Sequence, residues 1–275
     1  MNNNAQYAVW GNPIQQSLSP IIHQAFAKQT RQRLTYQAKL GDLIDFEKQL
    51  KDFFLQGAQG CNITAPFKNN AFYLADKTTQ RCQLAQACNT LKKLEDGSLL
   101  GDNTDGIGLL NDLKRLNILK PQQKVLILGA GGAAQGVIFP LLQAQQHLVI
   151  YNRTFSKAQQ LTEKFCSYGK IQALDHLESS AYFDLIINAT SLGLQGKSLP
   201  LPISLMAQAE AIYDMQYNLK KDTPFLAQCK KENNNCYDGL GMLVEQAAES
   251  FLLWRGIKPN VDAVLNLLKS MPIKK

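Results

Sequence analysis

Apolar side chains fall along this chain in two patterns: short continuous runs, and longer stretches in which they recur at helical spacing. The first kind reads as strand and the second as amphipathic helix. Tyr7–Trp10, Leu34–Leu40 and Gly60–Thr64 form the first three predicted strands, separated by a helix running to about Gln29 and another over Leu43–Leu55. Pro20 suits a helix start and Ser19 its N-cap, which gives Ser19 a structural use and leaves Ser17 without one. Ala65-Pro66 stops the third strand, and Phe67-Lys68 opens another helix. Strand alternating with helix over 1–87 predicts an α/β layer. Two further strand patterns, from Cys88 and from Ser98, flank Glu95-Asp96-Gly97. An Asp-Gly step there predicts a hairpin, and so a sheet of mixed direction.

Asp102–Gly108 opens a helix that carries Leu109, Leu110, Leu113 and Leu116 on one face and closes at Lys120-Pro121. The character of the strands then changes. Val125–Leu128, Leu148–Asn152, Asp184–Asn188 and Ala211–Asp214 are nearly continuous apolar runs, as expected of parallel strands covered on both faces, and helical patterns separate them. Thr223–Lys231 reads as helix, and Asn235–Met242 leads into an apolar helix, Leu243–Trp254, that can return to the first layer. The fold class predicted is α/β. Residues 1–104 with 241–275 make an N-terminal substrate domain with a mixed sheet, and 105–240 make a Rossmann-like domain.

Composition narrows the function classes. At 275 residues, 45% hydrophobic and 19% charged, the chain has material for two cores, and no apolar run approaches the roughly 18 residues of a membrane helix. The start, Met-Asn-Asn-Asn, shows no leader pattern, and the six cysteines form no C-x-x-C pair, so a cytoplasmic protein without a metal site or disulfide framework is expected. The sequons at Asn62, Asn152 and Asn188 then carry no glycan. A net charge of +7 is spread along the chain without a basic run, which favours small anionic ligands over nucleic acid or membrane.

The candidate chemistry begins at Gly129-Ala130-Gly131-Gly132-Ala133-Ala134, directly after the Val125–Leu128 strand. Gly129, Gly131 and Ala134 match the G-x-G-x-x-G/A dinucleotide spacing: a tight turn, close backbone approach to a pyrophosphate, and close helix–strand packing. The helix that follows presents free N–H groups to the phosphates. About 20 residues on, where an NAD site carries a carboxylate for the ribose 2′-hydroxyl, the chain has Asn152, Arg153 and Thr154, with Lys157 one turn later. With no carboxylate to repel a 2′-phosphate and a guanidinium to grip it, NADP is the expected cofactor.

Over nearly its whole length the sequence resembles the shikimate dehydrogenase family. The stretches that carry the resemblance are Gly11-Asn-Pro-Ile, Ser17-Leu-Ser19-Pro, Asn62-Ile-Thr64-Ala-Pro-Phe-Lys68, Asn89-Thr90, Gly101-Asp-Asn-Thr-Asp105-Gly, Asn188-Ala-Thr-Ser, Tyr213-Asp-Met and Asp238-Gly-Leu-Gly-Met-Leu-Val-Glu-Gln246, beside the fingerprint and Asn152-Arg-Thr154. The resemblance implies reversible NADPH-linked reduction of 3-dehydroshikimate to shikimate, with a cleft between the two domains. It implies Lys68 and Asp105 at the reacting centre, and Ser17 and Ser19 on the substrate carboxylate with Tyr217 near it. Thr64, Asn89, Asp105 and Gln246 would bind ring hydroxyls. Arg153, Thr154 and Lys157 would hold the 2′-phosphate, with Met215 and Gly239 along the nicotinamide. The implied partners are the small-molecule substrate and the cofactor, in a monomer or homodimer.

Departures from the family pattern are Ala65 before Pro66, Gln80 where an acidic residue is usual, Gln216 within Met215-Gln-Tyr217, and Lys157 for Arg. None touches Lys68 or Asp105. The three histidines offer little competition as proton donors: His23 falls in the first helix, His147 at a strand start and His176 in a polar loop. Two other readings stay open at the level of sequence. One is a relative that also accepts quinate; the other is a catalytically silent NADP-binding regulator, which should have lost Lys68 or Asp105.

Overall fold

The computed structural model describes residues 4–271, so Met1–Asn3 of the start read as leaderless, and 272–275, lie outside the described residues. The chain forms two compact units, Met1–Gly108 with Val244–Leu268, and Leu109–Leu243 with the chain end from Lys269. It changes unit inside three helices, at 108/109, 243/244 and 268/269; the first two lie four and three residues beyond the 104/105 and 240/241 positions expected from sequence, and the third was not expected.

The first unit runs β1 (Ala5–Gly11), α1 (Ser19–Gln29), β2 (Leu34–Leu40), α2 (Phe46–Leu55), β3 (Gly60–Ile63), α3 (Lys68–Leu74), β4 (Lys77–Thr78), α4 (Gln80–Ala85), β5 (Thr90–Lys93), β6 (Leu99–Asp102) and α5 (Asp105–Arg115). Its sheet has the order β2-β1-β3-β5-β6-β4. β1 lies parallel to β2 and β3, whereas β5 runs antiparallel to both β3 and β6, so the hairpin read from Asp96-Gly97 makes the sheet mixed. α2 buries Phe46, Leu50, Phe53 and Phe54 against Trp10, Ile63 and Phe67, and those four positions follow the i, i+4, i+7, i+8 stripe of a core-facing helix. The helix starts at Phe46 rather than Leu43. The Asp42 carboxylate accepts the N–H groups of Ile44 (2.7 Å) and Asp45 (3.0 Å), and this local turn keeps the preceding residues out of helix, with Leu43 and Ile44 exposed.

The start of α1 also differs from expectation, because Ser19 makes no N-cap bond. The Ser17 hydroxyl instead accepts the N–H of Ser19 at 3.3 Å, a two-residue side-chain turn, while Ser19 is buried with its hydroxyl against the Tyr36 phenol. The N-cap expected of Ser19 is therefore not formed: Leu18 holds the cap position without a side-chain bond, and Ser17 makes only the local turn.

His23, on α1, stacks on Tyr36 with ring centroids 4.2 Å apart and planes 8° from parallel, and Phe26, Phe251 and Trp254 complete the shell. Burial pushes its pKa down from 6.5 to about 3, against a smaller opposing contribution from Asn62. A lowered folded-state pKa means that the unfolded chain binds the proton first. Stability should thus fall as pH drops from about 6.5 towards 3, and His23→Phe, which keeps a ring in place, should flatten part of that slope in Tm. Identical slopes for the two proteins would refute the assignment.

The second unit continues with β7 (Lys124–Leu128), α6 (Gly132–Gln143), β8 (His147–Tyr151), α7 (Phe155–Phe165), β9 (Ile171–Leu174), β10 (Leu185–Asn188), α8 (Ile203–Gln208), β11 (Ala211–Asp214), α9 (Pro224–Cys229) and β12 (Cys236–Tyr237), whereas α10 (Leu240–Arg255) crosses into the first unit, which holds most of α11 (Val261–Ser270). All its strand pairs are parallel, in the order β9-β8-β7-β10-β11-β12. Numbered within the unit, that is 3-2-1-4-5-6, the doubly wound order whose ligand crevice opens where the order reverses, here between β7 and β10. β9 and β12 escaped the sequence reading because edge strands are half-covered and lack a continuous apolar run. α10 begins three residues early, where Asp238 accepts the N–H of Leu240 at 3.1 Å.

Candidate active-site residues

In the first unit, two backbone bonds place the key segments side by side: Ile63 N–H to the Asn89 carbonyl (2.8 Å) and Asn89 N–H to the Asp102 carbonyl (3.0 Å). β3 turns through Thr64–Phe67 into α3, making Lys68 its first residue, and the Lys68 carbonyl accepts the Cys88 N–H at 2.9 Å. β6 leads through Asn103 and Thr104 into α5, making Asp105 its first residue. The result is an ion pair between residues 37 positions apart, Lys68 Nζ to Asp105 Oδ2 at 2.5 Å, with the two side chains 31% and 21% exposed. Asn89 donates to the other carboxylate oxygen, Oδ1, at 2.8 Å, and its amide lies 3.4 Å from Gln246 Oε1 on α10. α5 and α10 come close there because Gly108 has no side chain; a Cβ on it would stand 2.6 Å from that of Gln246. Lys68, Asn89, Asp105 and Gln246 thus form one cluster.

Ser17, Ser19 and Thr64 do not bond to that cluster directly. Thr64 is half-buried and its hydroxyl makes no hydrogen bond among the described residues. Ser19 is linked to the cluster through residues that the sequence reading left without roles. Its hydroxyl meets Tyr36, whose phenol donates to Asn62 Oδ1 at 2.7 Å, and Asn62 Nδ2 reaches the Asn89 carbonyl (3.1 Å), Thr90 Oγ1 (3.1 Å) and Ser250 Oγ (2.9 Å). Burial pushes the Tyr36 pKa well up, so the phenol stays a proton donor in this chain. Asn62 in an otherwise apolar strand, and Ser250 beside Ala247, Ala248 and Phe251, were the available signals: a buried polar group needs partners.

In the second unit the fingerprint forms the turn from β7 to α6. Gly129 takes φ +107°, which favours glycine, and donates its N–H to the Tyr151 carbonyl at 2.8 Å. Ala134 is fully buried against the sheet, whereas Ala130 is half-buried and Gly131, Gly132 and Ala133 are exposed. A Cβ added at Gly131 or Gly132 would meet no protein atom within 4 Å, so the backbone is bare on the side a pyrophosphate would approach. After β8, Asn152 Nδ2 donates to the Thr154 carbonyl at 2.9 Å and fixes the turn into α7. Arg153, Thr154 and Lys157 are exposed, and no acidic side chain pairs with Arg153 or Lys157 among the described residues. These groups fit a phosphorylated dinucleotide.

Met215 and Tyr217 lie on the turn after β11. Asp214, fully buried, holds that turn: it accepts from Asn188 Nδ2 (2.9 Å), the Gln216 N–H (3.1 Å) and the Thr223 hydroxyl (2.5 Å). A Cβ on Gly239 would fall 2.3 Å from the Met215 carbonyl oxygen, so only glycine allows these two segments to touch. Gln216, a departure from the family pattern, donates to the Thr190 carbonyl at 2.7 Å and so fastens the loop after β10. Gln80 is simply exposed at the start of α4. Tyr217 has its pKa raised by burial, with Asp238 adding to the effect.

Comparison with known proteins bears on both units. Family models match residues 9–91 (shikimate dehydrogenase substrate binding domain), 113–194 (shikimate / quinate 5-dehydrogenase) and 239–269 (shikimate 5′-dehydrogenase C-terminal domain). The chain is 59% identical over 264 residues to the shikimate dehydrogenase (NADP(+)) of Histophilus somni strain 2336, covering 95% of this chain and 97% of that protein. Among solved structures it is similar to an Ael1 enzyme from Pseudomonas putida, with TM-score 0.90 and 44% identity over 98% of this chain and 100% of the other. It is also similar to shikimate 5-dehydrogenase from Thermus thermophilus, solved with NADP(H) and shikimate: TM-score 0.85, 31% identity, 96% of this chain and 98% of the other.

Proposed function

The chain belongs to the shikimate dehydrogenase family, and from that premise we propose how its residues divide the work. The activity is the reversible NADP-dependent interconversion of shikimate and 3-dehydroshikimate, a step of aromatic biosynthesis. When bound, the nicotinamide supplies or accepts the hydride. The first unit supplies the proton. Lys68 donates from Nζ to the carbonyl oxygen as it becomes an alcohol, and takes the proton back in the oxidation direction. Asp105 holds that ammonium through Oδ2, and its remaining lone pairs, with the amides of Asn89 and Gln246, accept or donate to ring hydroxyls. The observation that carries this division is the Lys68–Asp105 pair with Asn89 on the second carboxylate oxygen. The same pair speaks against a silent regulator.

Ser17, Ser19 and Thr64 offer hydroxyls for the remaining substrate contacts, with Tyr217 near the substrate carboxylate. Gly129–Ala133 would take the pyrophosphate, Asn152, Arg153, Thr154 and Lys157 the 2′-phosphate, and Met215 with Gly239 would line the nicotinamide. Every one of these residues comes from a single chain, so the reading holds for a monomer or a homodimer. We place the protein in the cytoplasm, which six free cysteines suit, and among the described residues no helix is long and apolar enough to cross a membrane.

The test is a spectrophotometric assay of NADP⁺ reduction with shikimate, run in parallel with quinate because one matched family description names both. No reduction with either substrate would sink the reading. At the substrate end, Ser17→Ala should raise the KM for shikimate several-fold and leave that for NADP⁺ unchanged. It also removes the acceptor of the turn bond ahead of α1, so Tm should fall by no more than a few degrees, corresponding to about 0.5–1 kcal/mol for one ordinary hydrogen bond. An unchanged shikimate KM would restrict Ser17 to its structural bond.

A further inference from the structure

We propose that Arg81 and Asp102 form a positioning pair that sets the place of Asp105; this rests on the functional reading above. Asp102 ends β6 and is 1% exposed, yet its carboxylate accepts four hydrogen bonds: Thr79 Oγ1 at 2.6 Å, Arg81 Nε at 2.7 Å, Arg81 Nη2 at 2.5 Å and the Asn103 N–H at 2.7 Å. The guanidinium grips both oxygens as a planar fork, so the carboxylate cannot rotate. From Asp102 the constraint passes along the chain. Asn103, itself buried, accepts the Asp105 N–H on Oδ1 at 3.1 Å and donates from Nδ2 to the Ala87 carbonyl at 2.8 Å. Ala87 precedes Asn89 by two residues, so one side chain ties down the two segments that supply Asp105 and its amide partner.

Stability alone is a poor account of this arrangement, since well-packed apolar residues often replace a buried ion pair without loss. What the pair provides is direction. Thr79 fixes one carboxylate oxygen and caps α4 by accepting the Cys82 N–H at 3.3 Å, so α4, which carries Arg81, is held to the same carboxylate. Glu249 on α10 adds further attraction for the guanidinium. Neither Arg81 nor Asp102 belongs to the Lys68–Asp105–Asn89–Gln246 cluster; they act through Asn103.

Three variants test the proposal at saturating shikimate and NADP⁺, each with Tm and an NADPH fluorescence titration to establish the folded, cofactor-binding fraction. Arg81→Met keeps the stem and loses the fork, Arg81→Lys keeps the charge, and Asn103→Ser leaves the ion pair intact while shortening the link to Asp105. Misplacement of a reacting group by about 1 Å can cost 10²-fold, so kcat per folded molecule should fall at least about tenfold in Arg81→Met and Asn103→Ser. Arg81→Lys should recover part of that loss, and the KM for NADP⁺ should stay within twofold throughout. Wild-type kcat in folded Arg81→Met, or in Asn103→Ser should Arg81→Met fail to fold, overturns the proposal and leaves the functional reading standing. A wild-type enzyme without shikimate-dependent NADP⁺ reduction overturns both.

Discussion

Lys68→Ala is expected to lower kcat by about 10²–10⁴, the range for loss of a general acid–base group, while the protein stays folded and still binds NADPH. The size follows from what the side chain meets. Its Nζ stands 2.5 Å from Asp105 Oδ2, and none of His23, His147 and His176 takes part in that cluster. As the carbonyl is reduced, negative charge grows on its oxygen, and an ammonium held in place both stabilises that charge and delivers the proton. The effect on stability should be small, because a pair about a quarter exposed contributes at most about 1 kcal/mol and Asn89 still donates to the remaining carboxylate. Cofactor binding should be untouched, since the fingerprint and the Asn152–Lys157 stretch belong to the second unit. Lys68→Met, which keeps most of the stem, should behave like the alanine variant and so exclude a packing explanation. Retention of more than about a tenth of wild-type kcat at saturating substrate would mean that the proton comes from elsewhere.

The parts of this site that could be read from sequence were those encoded locally. Gly129, Gly131 and Ala134 are separated by fixed steps whose purpose, a strand-to-helix turn, is itself local, and the structure has the turn where the spacing puts it. Arg153 and Lys157 were legible for the same reason, at a set distance after the glycines. The meeting of Lys68 with Asp105 has no local signature; it comes from two ladder bonds that align the ends of β3 and β6 around Asn89, and only the family resemblance suggested it. The chain of bonds from Tyr36 through Asn62 to Ser250 spans still larger separations, and each member looks in sequence like an ordinary polar residue. The N-cap expected at Ser19 is missing because the helix starts one residue earlier than the sequence suggested: Ser19 is itself the first helical residue, the Leu18 carbonyl accepts the Ile22 N–H, and the Ser19 side chain is turned to Tyr36 instead. Edge strands β9 and β12 lack a fully buried face and so leave no apolar run, whereas α11 carries a clear helical stripe of Val261, Val264, Leu265 and Leu268.

Arg153→Ala should raise the KM for NADP⁺ by about 10- to 100-fold and leave that for NAD⁺ nearly unchanged, because a charge-assisted hydrogen bond is worth roughly 1.5–3 kcal/mol and the lost partner is the 2′-phosphate alone. The side chain is ready for that role: it is exposed and has no acidic partner among the described residues, so no competing ion pair must break before it closes on an anion. The Asn152–Thr154 bond of 2.9 Å keeps the turn in shape whether or not Arg153 is present, so the substitution should subtract the guanidinium and little else. Lys157→Ala should cost less, since an ammonium makes a point contact where a guanidinium makes a fork. Asn152→Asp provides the converse test. A carboxylate at that position can accept from a free ribose hydroxyl and repels a phosphate, but it cannot donate to the Thr154 carbonyl, so the turn loosens for both cofactors and the preference should narrow chiefly through a KM that rises much more for NADP⁺ than for NAD⁺. Equal losses for both cofactors in Arg153→Ala would move the 2′-phosphate contact away from this turn, whatever the effect on shikimate.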